Sequence, residues 1–550
     1  MKQVDPQTQA AIELLSQIQK LLQLHEENPF KIRAFDKAQD SLVEVCDLPQ
    51  RAKAGTLTEI KGIGKGISEV LTEFFELGKS SVKEELESSL PEGLLELVGI
   101  RGLGVKKAKL LMDQLEIKSV GELEYACHEN RLLKIKGFGE KVQSKILSEI
   151  QFIKSTQGKV RIDDALVISQ QVLELLKSKL PAKVKVSETG ELRRKKEVLS
   201  RLDFMIEVSK THQKMIETKV LKALSDYRKK VDLTVEVGVS YAEPDCWGYE
   251  LAKTTASAEH WKALGEPKRK KSKTEEEFYQ ELGLKTLPPE TRETGEEVTL
   301  VKKNKLPKII VEDQVQGVFH NHTTYSDGIA TLEQMVKRSM ELGYRYIGIS
   351  DHSQSAFYAQ GLKTPELKQQ QEEVKKIQKK YPKIKIFWGV ESDILADGSL
   401  DYTESQLKKF DFVIASIHSR FQMNKEEMTQ RMIQAIRHPA TRMIGHLTGR
   451  LLLGRAGYEL DFEKIISEAS KNQVAIEINA HPARLDIDWR LGKLLRKYKT
   501  MVSINPDAHS LEGLEDTSYG VITARKALLP QELVLNTFST QEVENWLQRK

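Results

Sequence analysis

Phe319-His320-Asn321-His322-Thr323-Thr324-Tyr325-Ser326-Asp327-Gly328 opens the C-terminal part of a 550-residue chain. Side chains alternate along an extended strand, so His320 and His322 present their imidazoles to one side. Asp327 follows in a Ser-Asp-Gly turn, close enough in sequence to fold back on the same place. Alone, this spacing is a weak signal, because a pair of core or surface histidines is its commoner cause. Repetition changes the reading. Six further apolar runs follow, and most end in a residue able to ligate a metal. Tyr346–Ser350 leads to Asp351-His352, Ile386–Val390 to Glu391-Ser392-Asp393, and Phe412–Ile417 to His418. Arg442–Gly445 leads to His446, Val474–Ile478 to Asn479-Ala480-His481, and Met501–Pro506 to Asp507-Ala508-His509. Helical patterns lie between them at Thr331–Leu342, Pro365–Lys380, Lys425–Arg437, Phe462–Lys471 and Trp489–Lys497. Short buried strands alternating with helices predict a parallel βα array. Closed into a barrel, such an array gathers its chemistry at the C-terminal strand ends, where these histidines and carboxylates stand. A polynuclear metal site is expected there. Mixed imidazole and carboxylate donors suit Mn²⁺, Zn²⁺ or Fe²⁺ better than the all-oxygen preferences of Mg²⁺ and Ca²⁺.

These segments resemble the PHP (polymerase and histidinol phosphatase) domain over about residues 313–550, with every motif in order. The resemblance implies a distorted (β/α)7 barrel holding up to three Mn²⁺, Zn²⁺ or Fe ions, with Mn²⁺ the usual activator. It puts the nine ligand positions at His320, His322, Asp327, His352, Glu391, His418, His446, Asp507 and His509. The task that suits such a cluster is metal-assisted phosphoester hydrolysis. Arg450 and Arg484, each just past a strand end, are candidate phosphate contacts, with structural ion pairs as the alternative for both.

A chain of this length with 39% hydrophobic residues is expected to hold several domains. Its net charge of +5 is too slight to argue for nucleic acid by itself. The basic runs Arg193–Lys196 and Lys268–Lys273 read as solvated faces or loops. Cys46, Cys127 and Cys246 lie far apart with no C-x-x-C pair, which opposes a disulfide framework and thiolate zinc and fits a reducing compartment. Met1-Lys2-Gln3-Val4-Asp5-Pro6 has no apolar signal core, and no run approaches membrane-spanning length. A soluble, cytoplasmic, monomeric protein without membrane contact is the expectation.

Toward the N-terminus, residues 8–25 and 31–45 read as amphipathic helices separated by Asn28-Pro29. Three Gly-x-Gly turns follow, at Gly62 and Gly64, Gly102 and Gly104, and Gly137 and Gly139, each after an apolar helix and close to lysine. This is the helix-hairpin-helix pattern, whose glycines let backbone N–H groups and a helix N-terminus approach a DNA phosphate. One such turn is more often a plain helix connection. Three in series predict DNA binding that carries no sequence information.

The order of parts resembles a bacterial family X DNA polymerase joined to a PHP domain, over essentially the whole chain. Asn28–Lys37 is similar to the family's opening domain, which holds the 5′-phosphate side of a gap, and makes Lys31, Arg33 and Lys37 the candidate phosphate contacts. The family's Schiff-base lysine, used for sugar-phosphate lyase activity, corresponds to Val70, which has no amine. Gly190–Glu207 resembles the palm segment, where a Gly-Ser pair precedes an Asp-x-Asp strand that holds two Mg²⁺ ions. Here Arg201 stands where the first aspartate belongs, Asp203 keeps the second, Asp232 matches the third carboxylate, and Glu191 replaces the serine. The family's Tyr-Phe-Thr-Gly-Ser pocket stretch corresponds to Lys253-Thr254-Thr255-Ala256-Ser257, without the aromatic pair or the turn glycine. An alternative is a register slip with Glu191 or Glu207 recruited as the missing acid.

The expected architecture is a multidomain α/β chain. All-α helix-hairpin-helix domains occupy 1–82 and 83–153, an α+β nucleotidyltransferase-like palm 154–240 and a thumb 241–300. A linker at 301–312 leads to the PHP phosphoesterase barrel at 313–550. The expected function is a repair nuclease on gapped, nicked or primer-template DNA. The resemblance implies Mn²⁺-dependent 3′→5′ exonuclease activity, with 3′-phosphate removal or abasic cleavage as further activities, and the substitutions in the palm segment predict a polymerase body that is inactive or weak. The alternative is a gap-filling polymerase, using Mg²⁺ or Mn²⁺, with a proofreading barrel. A DNA-binding scaffold storing metal and a small-molecule phosphatase are the remaining readings.

Overall fold

Seven short strands, β1 (Gly317–Val318), β2 (Tyr346–Ile349), β3 (Lys385–Asp393), β4 (Phe412–Ser416), β5 (Met443–Ile444), β6 (Ala475–Asn479) and β7 (Val502–Asn505), run parallel in sequence order. In this computed structural model, which describes residues 6–548 except 26, 44, 46, 92, 129, 130, 230 and 232–234, the ends of the sheet nearly close into a barrel. Asn321, past β1, bridges Ala508, past β7. Ala508 accepts from His322 N–H at 2.8 Å and donates to His320 C=O at 3.3 Å. The strand residues are buried on both faces, as expected of a parallel sheet wrapped in helices.

The inside of the barrel is filled by Phe319, Tyr346, Phe387 and Phe412, with the Phe319 and Phe412 rings 5.2 Å apart and edge-on. Val543, Trp546 and Leu547 of the last helix, Thr540–Leu547, pack against this aromatic layer and plug one end. Access is therefore left to the opposite end, where the loops after each strand lie. Capping residues set the helices: Thr331 for Leu332–Glu341, Asn424 for Lys425–Arg437 and Asp461 for Phe462–Lys471 each accept from a backbone N–H in the first turn. These agree with the periodicity within a residue or so. The strands differ more. β1 ends before His320, and β3 continues through Glu391 to Asp393, because Glu391 keeps its ladder bonds to Ser350 and Ser353.

The chain divides into two compact units, Met1–Gln157 and Gly158–Lys550. The first unit has two helical cores. Ala11, Leu15, Ile18 and Leu22 meet Phe35, Ala38, Leu42 and Leu71 in one, and Leu97, Leu111, Phe138 and Ile150 gather in the other. Asn28 and Pro29 start the second helix two residues ahead of the expected 31, since Asn28 caps Phe30 N–H and Pro29 takes a position needing no donor. Val70 lies inside the first core, at 3% exposure, so a longer amine there would have to displace packed side chains.

The second unit carries, besides the barrel, a three-stranded sheet. Arg201–Glu207 sits at its centre, antiparallel to Val186–Thr189 and parallel to Glu236–Ala242, with helices Ile162–Lys179 and Lys210–Arg228 behind. Small helices from Trp247 to Lys302 build a further core on Tyr249, Phe278 and Tyr279, so helix runs two residues into the stretch expected as linker. No helix among the described residues is long and apolar enough to cross a membrane.

Candidate metal centre

All nine residues singled out along the barrel meet at its open end. Glu391, 1% exposed, is the hub. Its carboxylate is approached by His320 Nε2 at 3.3 Å, His322 Nε2 at 3.7 Å, His352 Nδ1 at 2.9 Å, His418 Nε2 at 3.3 Å and His446 Nε2 at 3.0 Å. Asp507 Oδ1 lies 3.2 Å from His322 and 3.4 Å from His320. Asp327 faces His322 at 3.6 Å, His352 at 3.5 Å and His509 at 3.4 Å. His509 and Asp327 have the more exposed side chains, 39% and 29%, and so mark the mouth.

Three donor groups arise from this packing: His322, Asp327, His352 and His509; His320, His322 and Glu391; and His352, Glu391 and His418. Donors bound at 2.0–2.2 Å to one ion stand about 3.0–3.5 Å from each other. Most of the spacings above fall in that range, with His352 to Glu391 at 2.9 Å just below it and His322 to Asp327 and Glu391 at 3.6 and 3.7 Å just above. His320 Nε2, both ring nitrogens of His322 and Glu391 Oε2 are buried without a hydrogen-bond partner, which is costly unless a cation sits among them. The residues fit a divalent metal on both counts. Asp507 and His446 have φ of +53° and +22°, a backbone region that costs free energy and recurs at functional sites.

Electrostatics points the same way. Burial, then the neighbouring His509 and His352, push His322 down to about 3. For His352 burial acts against the charged form, but Glu391 and Asp327 outweigh it and push the ring up to about 10. Burial would raise Glu391 and Asp507, yet the surrounding imidazoles hold both well below the usual carboxylate range. These shifts favour buried carboxylates in the ionised form, with imidazoles around them in the place a metal would take.

Several residues that hold the cluster in shape were not singled out by the sequence. His320 Nδ1–H donates to Glu477 at 2.7 Å and His418 Nδ1–H to Asp393 at 2.7 Å, which turns both Nε2 atoms toward Glu391. Glu477 also accepts from the backbone of His446 at 2.6 Å. Asp351 holds the Thr323 and Ser326 end of the first loop. A signal existed, since Glu477 is a carboxylate within the apolar run of β6. Arg484 Nε lies 3.4 Å from Asp507 at the edge of the cluster. Arg450 is engaged elsewhere, donating to Asp488 at 2.6 Å, to Arg484 C=O at 2.9 Å and to Leu485 C=O.

The three-stranded sheet expected to be the palm is arranged differently. Arg201 and Asp203 do face one way, as alternation requires, but Arg201 Nε donates to Asp203 at 2.7 Å. A Cβ on Gly238, across the sheet, would lie 2.2 Å from the Arg201 guanidinium and 2.4 Å from Asp203, so glycine makes room for the pair. Burial raises the Asp203 carboxyl, with Arg201 opposing. Glu191 pairs with Lys196 at 2.5 Å and Glu207 with Lys185 at 2.8 Å. The run Arg193–Lys196 is not a solvated face: Arg194 pairs with Glu293 at 3.2 Å, Lys195 with Glu188 at 2.8 Å, and Arg193 with Glu275. Asp232 lies outside the described residues.

The three hairpins share one geometry. Gly62, Gly102 and Gly137 have φ of +96°, +92° and +97°, which favours glycine. Gly64, Gly104 and Gly139 are extended and open helices that no side chain caps, leaving their first N–H groups available to an anion. Lys31, Arg33 and Lys37 are exposed on one helix, where Arg33 lies 4.9 Å over the exposed Phe30 ring.

Family models agree with this layout. A PHP domain matches residues 319–481, a helix-hairpin-helix domain 6–80, and a SAM-like helix-hairpin-helix tandem 94–151. A "Probable phosphatase" of Caldicellulosiruptor saccharolyticus is 29% identical over 42% of this chain and 93% of its own length. A histidinol phosphate phosphatase structure from Lactococcus lactis subsp. lactis, complexed with zinc, L-histidinol and phosphate, is 19% identical. The match covers 38% of this chain and 94% of that one at a TM-score of 0.31. The "DNA polymerase/3′-5′ exonuclease PolX" of Bacillus subtilis is 34% identical over 98% of this chain and 99% of its own length. Matched end to end in this way, with helix-hairpin-helix domains first and a PHP domain toward the C-terminus, the chain belongs to the PolX family.

Proposed function

We propose that the chain is a metal-dependent 3′→5′ DNA exonuclease of repair, working through its barrel, and that its palm and thumb bind gapped DNA without extending it. The observation that carries this reading is the set of five imidazoles within 3.7 Å of one buried carboxylate, Glu391. His320, His322, Asp327, His352, Glu391, His418, His446, Asp507 and His509 would hold up to three cations, Mn²⁺ foremost, with Zn²⁺ or Fe²⁺ as alternatives. When bound, such ions polarise a phosphodiester and lower the pKa of a water.

The chain's own residues do the rest. Glu477 and Asp393 keep the Nδ1 protons of His320 and His418, so that each Nε2 lone pair is offered to the cluster. Arg484 supplies a cation for a phosphate oxygen beside Asp507. The aromatic floor under His320 excludes water from below. The 3′ end enters past Asp327 and His509, and the uncapped hairpin helices hold backbone phosphates without reading sequence. Removal of a 3′-phosphate and cleavage at an abasic site would use the same groups. Soluble, monomeric and cytoplasmic behaviour belongs to this reading too.

A second reading, an active gap-filling polymerase, is favoured by the whole-length match to a relative named DNA polymerase and by the retained Asp203. Arg201 opposes it. One gapped duplex, labelled on the primer and given Mn²⁺ and all four nucleotides, separates the two. Primer shortening without extension is expected, whereas extension that Asp203→Ala abolishes would return the chain to the polymerases.

A further inference from the structure

Exposed apolar side chains in the barrel region are not scattered. From residue 313 on, the large hydrophobics exposed among the described residues are Ile329 at 53%, Phe357 at 84% and Leu395 at 37%. Each lies in the loop that follows a barrel strand, two residues after Asp327, five after His352 and two after Asp393. The strands concerned, β1, β2 and β3, are hydrogen-bonded neighbours, so the three loops make one arc of the rim. Single exposed apolar residues need no explanation. Their gathering at the mouth of a charged cluster does.

Phe357 is the most exposed of them, and its loop is built to hold it out. The loop leaves His352 and comes back to it: Ser353 N–H donates to Glu391 C=O at 3.0 Å, and Leu362 N–H to His352 C=O at 2.9 Å. Ala356 and Ala359, at 0% and 1% exposure, root the short 3-10 turn Phe357–Ala359. Ser355 N–H donates to Asp401 at 2.7 Å, and its hydroxyl donates at 3.1 Å to Asp393, the carboxylate that orients His418. A tied-down loop that points a phenyl ring into water gives up apolar burial, and the fold itself does not recover it.

We propose that Phe357, flanked by Ile329 and Leu395, is the platform on which the base of the 3′-terminal nucleotide stacks while its phosphodiester lies at the metal cluster. This rests on the nuclease reading and narrows its substrate, because a phosphate ester lacking a planar apolar group makes no use of the platform. Stacking is sequence-tolerant, since every base has a π-face.

The test uses the full chain with Mn²⁺ and two single-stranded oligonucleotides, one ordinary and one ending in an abasic tetrahydrofuran nucleotide. The unaltered protein should show a KM about tenfold lower for the strand with a terminal base, as stacking on one aromatic ring provides. In Phe357→Ala that preference should vanish through KM rather than kcat, and Phe357→Trp should keep it. A 3′-terminal 2-aminopurine on a hydrolysis-resistant phosphorothioate linkage should be quenched by the unaltered protein and stay bright with Phe357→Ala. A preference that survives Phe357→Ala overturns the platform while leaving the nuclease standing. A change in sedimentation of that variant with KM unchanged overturns it also, and assigns the ring to a contact between copies. Failure of the unaltered protein to cleave either strand removes the nuclease reading itself.

Discussion

The palm and the barrel pose the same electrostatic problem and solve it in opposite ways. Each gathers carboxylates in one place. In the palm, Arg201 donates to Asp203 at 2.7 Å and also faces Glu236, so the chain carries its own permanent cation into the site. In the barrel, Glu391, Asp507 and Asp327 meet imidazoles, which are neutral donors or weak cations according to their surroundings. A guanidinium cannot be displaced by deprotonation, whereas a histidinium gives up its proton to a metal. On the proposed reading, the first arrangement closes a metal site and the second keeps one open.

The largest effect should come from Glu391→Ala. Manganese content, read by elemental analysis, and hydrolysis of a labelled primer should both fall by more than the roughly 100-fold that loss of an outer partner brings. Affinity for gapped DNA, read by fluorescence anisotropy, should persist because the hairpins are untouched. Cleavage retained in a metal-depleted Glu391→Ala protein would break the contrast. Glu477→Gln comes next: it keeps the shape but weakens the hold on His320, and should cost about 10–100-fold in Mn²⁺ affinity or activity. Arg201→Asp probes the other half. It should give the palm a divalent-cation site detectable by Mn²⁺ titration yet little primer extension, because Arg193 and Arg194 stay engaged with Glu275 and Glu293. Strong extension in that variant would mean that one residue separates the two solutions.

The smallest effect concerns the side of the barrel that faces the palm's first long helix. Burial, then Asp163 and Glu515, push the Asp516 carboxyl up to about 7 from an ordinary 3.8. A raised carboxyl favours the folded chain when protonated. Its stability contribution is therefore full below pH 3.8 and is lost as pH rises through about 7. Melting temperature should fall across that window, and Asp516→Asn should flatten the fall. An equal slope in the variant would place the titration elsewhere.

Much of the barrel was legible because its strands are buried on both faces and read as apolar runs, each closed by a polar residue. Capped helices such as Lys425–Arg437 were legible to the residue. Strand ends were not, since β1 and β5 keep only two paired residues each while β3 runs on through its carboxylates. Asp393 was read only as part of a strand end, and Glu477 was in plain view but unread. Their role is to bond a histidine on another strand, and sequence spacing carries no trace of that. Arg450 and Arg484 looked alike in sequence, both just past a strand end, and the fold separates them by giving Arg450 to Asp488.

By itself the sequence determined the order of parts, the residue types at the strand ends, the three glycine turns and the substitution of Arg201 for an acid. Those are local matters of periodicity, backbone freedom and charge. Tertiary structure alone decided that imidazoles from four different strands converge on Glu391, that the run Arg193–Lys196 is drawn into ion pairs, and that apolar side chains gather at one rim. Closure of the barrel brings together residues far apart along the chain, and only in that low-dielectric place do their charges act on one another strongly.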